Sequence, residues 1–240
     1  MLELFLSSLP SLHTLIIVAP IAVVYAATVA VLVGKLRMQH QVRTAYTRKI
    51  FHFAIFSMAT AIHLVWRLPG VTGFGIVVTA FVLFAVLRGD GFPLYEALAR
   101  PSDAPRRSLF IIVPLLTTML GGIATNSFFP SVAFIGYLVC GWGDAVGEPV
   151  GSRWGKHVYR VPSLSGVPAT RSIEGSVAVF VVGSVAAVIG FYAYVQTPAH
   201  PILLGVACGL AGAVVEAFSN HGLDNFTTQL AAAATAFLLQ

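Results

Sequence analysis

Residues Phe128–Lys156 read "FFPSVAFIGYLVCGWGDAVGEPVGSRWGK". The first part, through Val139, is apolar enough to sit in lipid. The rest, from Cys140, carries glycines at every fourth position, two carboxylates one helical turn apart and two cations. Carboxylates at the end of an apolar span are costly and face a polar cavity or a charged partner. The stretch therefore reads as a membrane helix with a polar site at one end.

The rest of the chain agrees. Of 240 residues, 57% are hydrophobic and only 10% charged, with a mean hydropathy of +0.86. A soluble domain carries about 25% charged residues. The composition predicts an all-α, polytopic integral membrane protein. A helix needs about 20 apolar residues to cross a bilayer, so the length predicts seven or eight transmembrane helices in one bundle. That makes a single membrane domain over 1–240. Spans are expected at about Leu15–Val33, Ile50–Trp66, Gly70–Leu87, Leu109–Ala124, Phe129–Val146, Val177–Val195, Ile202–Phe218 and Phe226–Leu239. The last is short for a crossing, and the fifth is expected to run on as helix past the membrane surface. "GFPLYEALARP" reads as a short structural helix between spans three and four. No internal repeat stands out.

The residues before the first span include Glu3 and no Lys or Arg. A signal peptide needs a positive leading region, so an uncleaved first span is expected. Of the fourteen Lys and Arg, all but Arg67 fall on alternate loops. These are the loops holding Lys35 to Lys49, Arg88 to Arg107 and Arg153 to Arg171. Cytoplasmic loops carry the cation excess, so these loops are expected inside the cell and both termini outside. The formal charge of +5 is accounted for by topology signals and phosphate ligands, and no nucleic-acid partner is expected. Cys140 and Cys208 lie in apolar runs without metal-ligand spacing and read as buried small residues.

Four polar clusters fall on the expected cytoplasmic side. Gly143, Gly147, Gly151 and Gly155 form a near-axial stripe on a helix. Such a stripe by itself is a helix-packing surface, suited to a dimer or to an intramolecular contact. Beside it, Asp144 and Glu148 share a face, and Arg153 and Lys156 follow. With these neighbours the stretch suits a magnesium–phosphate site: carboxylates for the cation, glycines for close approach to the backbone. It has no Walker-type loop. The second cluster is "RSIEGS", Arg171 to Ser176. Ser172 and Gly175 suit a helix cap with acidic Glu174 in the first turn, and the same helix start beside Arg171 suits a phosphate. In the third, "VVEAFSNHGLDN", Glu216 lies inside an apolar span and Asp224 and Asn225 precede the last helix. The fourth, "RKIFH", holds Lys49 and His52 and also fits a plain positive-inside anchor.

Together these segments resemble the dolichol kinase, phytol kinase and CTP-dependent diacylglycerol kinase family. The family's nucleotide signature reads D-x-x-A-x-x-x-G-x-x-x-G, then a spacer, then K-[ST]-x-E-G. Asp144, Gly151 and Gly155 match the first part, and Ser172, Glu174 and Gly175 the second. "RKIFH" is similar to a basic-plus-His start of an early span, and Glu216, Asp224 and Asn225 match a late E…DN segment. The resemblance runs from about residue 48 to 240. Three departures stand out: Gly147 at the Ala position, Arg171 at the Lys position, and a long spacer "HVYRVPSLSGVPAT".

The resemblance implies a membrane lipid kinase using CTP and Mg²⁺, with an isoprenoid alcohol or diacylglycerol as acceptor at the cytoplasmic face of the inner membrane. Asp144 and Glu148 are then the metal ligands, with Glu216 and Asp224 beside them in the catalytic pocket. Gly143, Gly151, Gly155, Lys156, Arg171, Ser172, Glu174, Gly175, Asn225, Lys49 and His52 are expected around the nucleotide. The partners implied are lipid alcohol, nucleotide and membrane lipid. A cytidylyltransferase making a CDP-lipid is the nearest alternative, though the glycine-rich H-G-G segment of such enzymes is missing. A small ion-coupled transporter is a third reading, with Glu216 its sole mid-span carboxylate.

Overall fold

The computed structural model describes residues 8–163, 167–194 and 198–240. The described chain is almost wholly helical, as the composition predicts. Among the described residues, five helices are long and apolar enough to cross a membrane: Leu12–Met38, Thr44–Arg88, Leu109–Phe128, Ile173–Ala193 and Pro201–Phe218. Contacts divide the chain into two compact units, Met1–Leu115 and Leu116–Gln240. The division falls inside a helix.

In the first unit, α1 (Leu12–Met38) starts at Ser11, whose hydroxyl accepts the Thr14 amide at 3.1 Å as an N-cap. Its buried stripe is Val18, Ala22, Ala26, Val29 and Val33, while Ile16, Val24 and Val31 are exposed on the other side. A helix apolar all round belongs in a membrane. Helix α2 (Thr44–Arg88) has 45 residues and is broken at Arg67, where φ is 52°. An unbroken helix would place Ala54 and Phe74 about 30 Å apart. Tyr25 of α1 touches both: its hydroxyl donates to the Ala54 carbonyl at 3.0 Å, and its ring lies 6.5 Å from that of Phe74. The chain therefore turns back at Arg67, in the "RLPG" segment read as a loop between spans two and three. Pro69 sits just after the break, in the first turn of the second half, where its missing N–H costs nothing.

The short helix expected in "GFPLYEALARP" is α3 (Pro93–Leu98). It is docked: Leu94, Tyr95, Ala97 and Leu98 are buried, and the hydroxyls of Thr44 and Thr47 donate to the carbonyls of Glu96 and Ala97 at 3.2 and 2.8 Å. The turn leading into it uses Gly89 and Gly91 at φ 66° and 85°, a backbone region glycine enters without strain. Arg107 then ties the loop together. It bonds Asp90 at 2.6 Å, Glu96 at 2.9 Å and the Ala99 carbonyl at 3.0 Å, over the Tyr95 ring.

The second unit takes in the later part of α4 (Leu109–Phe128), and then a continuous helical rod over 133–154. The rod consists of α5 (Ala133–Leu138), a π-helical turn (Val139–Gly143) and α6 (Asp144–Trp154). A π turn inserts one residue and resets the side-chain phase by about 100°. Antiparallel strands β1 (Val158–Val161) and β2 (Ala169–Ser172) follow, paired Val158↔Ser172 through Val161↔Ala169. This hairpin occupies the long spacer, for which no strand was expected; residues 164–166 of the spacer lie outside the described residues. Strand β2 runs directly into α7 (Ile173–Tyr194), followed by α8 (Pro201–Phe218) and α9 (Asp224–Leu239). The expected end of span six at Val195 also lies outside the described residues. Helix α9 has only 16 residues, in line with its short apolar run. Seams of small residues join these helices. A Cβ on Gly205 would meet the Val188 amide at 2.8 Å, one on Gly209 the Ser184 amide at 2.5 Å, and one on Gly136 the Gln229 carbonyl at 2.5 Å. Close backbone approach of this kind replaces the hydrophobic effect between membrane helices.

The Arg107 network has a pH signature. Partial burial pushes the Glu96 carboxyl up, but the Gly91 amide and the Arg107 guanidinium outweigh it and hold the carboxyl below its ordinary 4.5. A depressed folded value contributes stability above the unfolded value and loses it as pH falls through the folded one. The apparent melting temperature of the detergent-solubilised protein should thus hold this contribution between pH 7 and about 5 and lose it on further acidification. Glu96→Gln should melt lower at pH 7 and lack that part of the acid loss, measured by paired pH–melting curves.

Candidate active site

Three carboxylates converge where α6 begins, α8 ends and α9 begins. Asp144 is the first residue of α6, directly after the π turn. Glu216 lies two residues from the end of α8, and Asp224 opens α9. One oxygen from each lies within 4.8 Å of the others. Asp144 and Glu216 are only 7% and 6% exposed. Three carboxylates at this separation, two of them buried and Asp224 half-buried, repel one another strongly and need positive charge.

Arg171 on β2 supplies part of it. Its Nε lies 2.8 Å from Glu216 Oε1, and its Nη2 donates to Asp224 Oδ2 at 2.8 Å. Nη1 donates to the carbonyls of Glu216 and Ser219, the latter at 3.2 Å. One guanidinium thus holds two carboxylates and the end of α8. A planar fork of donors does this where an ammonium would not, which gives Arg171 a reason to stand at the family's Lys position. The hairpin aims it: Arg171 pairs with Tyr159 across the strands, and the Tyr159 hydroxyl bonds Ser176 Oγ at 2.7 Å. At the far end of β1 the Pro162 carbonyl accepts the His221 amide at 2.8 Å. The hairpin therefore straps the α8–α9 turn that carries Glu216 and Asp224.

The expected residues divide around this cluster. Asp144, Glu216, Asp224 and Arg171 meet. Glu148, expected to share a metal with Asp144, is one turn along α6 and is not one of the three. Asn225 is buried below Asp224, and its amide donates to Thr118 Oγ1 at 2.8 Å, tying α9 to α4. Ser172 caps α7 by accepting the Gly175 amide at 3.1 Å. Glu174 turns to His157, with 2.8 Å between Oε1 and Nδ1. Lys156 is exposed just past α6. Lys49 and His52 belong to the first unit, where Lys49 is buried and the His52 ring lies 4.5 Å from that of Phe56.

The glycine stripe faces α7. A Cβ on Gly143 would meet the Val179 carbonyl at 3.1 Å, one on Gly147 Val179 Cγ2 at 2.7 Å, and one on Gly155 Ser172 Oγ at 2.8 Å. Gly175 answers from α7, where a Cβ would meet the Gly147 carbonyl at 2.8 Å. The stripe is a packing seam that presses α6 onto α7, with Gly143 beside Asp144 against Val179 and Gly155 against Ser172 at the helix start.

A polar ladder below the cluster escaped the sequence reading. Gln229, 1% exposed and one turn past Asn225, donates to the Asn225 carbonyl at 2.6 Å. Further along α4, the Asn126 amide donates to the buried Tyr137 hydroxyl. Amide side chains in otherwise apolar spans were the available signal.

Compared with known proteins, no family model matches the chain, and no solved structure matches it significantly. Among curated proteins it is similar to the phytol kinase of Synechocystis sp. (strain ATCC 27184 / PCC 6803 / Kazusa). The two are 28% identical over 198 residues, which cover 80% of this chain and 78% of that protein. The resemblance to the phytol kinase family that the motifs carry is thus borne out over most of the chain's length.

Proposed function

We propose that the protein is a membrane lipid kinase that transfers the γ-phosphate of CTP to the hydroxyl of a long-chain isoprenoid alcohol at the cytoplasmic face. The observation that carries this reading is the convergence of Asp144, Glu216 and Asp224 around the Arg171 fork. Phosphoryl transfer asks a protein mainly for positioning and charge neutralisation, and this cluster is built from such groups. The likeness to a phytol kinase supports an isoprenoid alcohol as acceptor.

The donor set fits Mg²⁺: three hard carboxylate oxygens and no sulfur or imidazole. Asp144, Glu216 and Asp224 would hold the ion, which supplies charge neutralisation for the phosphates. Arg171 offsets the remaining negative charge and, at the start of α7, stands where the helix amides favour an anion. In the reaction the alcohol oxygen bonds to the γ-phosphorus, the bond from that phosphorus to the bridging oxygen of CDP breaks, and the hydroxyl proton passes to a carboxylate of the cluster. The polar ladder through Asn225 and Gln229 anchors α9 so that Asp224 keeps its place. The cluster sits at helix ends, which suits an interfacial hydroxyl better than the mid-bilayer path a transporter needs.

CTP labelled at the α or the γ position separates the enzyme readings. With Mg²⁺ and phytol or a polyprenol, the purified protein should move γ label into lipid and leave α label in the nucleotide. Transfer of α label would establish cytidylyl transfer instead, and transfer of neither across a panel of nucleotides and alcohols would remove both. Asp144→Asn should lower kcat by at least about a hundredfold, as loss of one charge-stabilising group does, while the melting profile keeps a cooperative transition. Activity within a few-fold of wild type would remove Asp144 from the site.

A further inference from the structure

Helix α7 exposes a lengthwise apolar stripe, Ile173, Val177, Val181, Val185 and Ile189, each four residues from the next. On a helix long and apolar enough to cross a membrane, such a stripe faces lipid. It does not stop at the helix start. Ile173 is 55% exposed, and its amide donates to the His157 carbonyl at 3.0 Å, which sets the first residue of β1 beside it. That residue, Val158, is 62% exposed on the strand face opposite Tyr159. Trp154, the last residue of α6, is 59% exposed and precedes Gly155, which packs on Ser172. The lipid-facing surface thus continues around the base of the hairpin.

Cations fringe it. Arg153, Lys156 and Arg160 are all exposed, and the Arg153 guanidinium lies 5.3 Å from the Trp154 ring. The carboxylate of Glu174 nearby is bonded by His157. Tryptophan favours the headgroup level of a bilayer, and basic residues at that level attract anionic lipid.

We infer that the end of α6 and the outer face of the hairpin form a seat for anionic lipid headgroups, with Trp154, Val158 and Ile173 inserted and Arg153, Lys156 and Arg160 on the phosphates. The inner face of the same hairpin carries Arg171 into the carboxylate cluster. One strand pair therefore joins the membrane surface to the site, and the seat does not depend on which reaction the cluster performs.

The test uses the full chain in nanodiscs and reads Trp154 as the fluorescence difference between wild type and Trp154→Phe. Discs contain phosphatidylcholine with a fixed fraction of either phosphatidylcholine or phosphatidylglycerol brominated near the headgroup. Quenching should be roughly threefold or more stronger from the brominated anionic lipid. Arg153→Gln/Lys156→Gln/Arg160→Gln should bring the two lipids to equality with the same far-ultraviolet circular dichroism. Equal quenching by both lipids in the wild type would overturn the proposal. So would iodide quenching without lipid quenching, which places Trp154 in water. Shielding from both quenchers would also overturn it, because a second copy of the chain would then cover the surface.

Discussion

One guanidinium shared between a buried and a half-buried carboxylate governs this half of the molecule. Glu216 and Asp224 lie on different helices, and Asp144 comes within 4.8 Å of both. The penalty for taking such groups out of water is several kcal/mol per ion. Arg171 offsets it through contacts to both side chains and to two carbonyls at the end of α8. Arg171 can do so because the spacer folds back as a hairpin. The strand register sets its side chain on the inner face, Tyr159 secures that face to α7, and the bond from His221 to Pro162 closes the strap over the α8–α9 turn.

The apolar structure delivers the third carboxylate. Residues 133–154 form one rod whose π turn ends at Gly143, so the phase of the helix changes immediately before Asp144. The glycines after it press the rod against α7 closely enough that a methyl group would collide with Val179 or Ser172. Packing and charge are coupled here. The seam fixes the distance between α6 and α7, and that distance decides whether Asp144 meets the carboxylates that Arg171 holds.

Much of this was legible in the sequence. The all-helical, membrane-spanning character and the break at "RLPG" followed from apolar length, because it is a local property. Asp144, Arg171, Glu216 and Asp224 were singled out because ionisable residues in apolar surroundings are few in a chain with nine carboxylates. Their grouping was harder to see. Asp144 and Glu148 share a helix face, so spacing suggested a pair, but the actual neighbours of Asp144 lie more than seventy residues away in sequence and depend on helix packing. The glycine stripe was ambiguous for a related reason. Spacing shows that one face is bare, and only the fold shows that α7 fills it. The hairpin went unseen because strands of four residues carry little periodic signal. Thr118, Asn126 and Gln229 went unread because their partners lie on other helices.

Arg171 is held by, and holds, the charges of Glu216 and Asp224. Charge removal tests it directly. Apparent melting temperatures would be compared for detergent-solubilised wild type, Arg171→Gln, and the triple variant Arg171→Gln/Glu216→Gln/Asp224→Asn. Stranding the buried Glu216 carboxylate together with the half-buried one of Asp224 should cost about 3–5 kcal/mol, so Arg171→Gln should melt well below wild type. Neutralising both carboxylates in that background should recover most of the loss. A triple variant that melts as low as Arg171→Gln, or lower, would contradict the account.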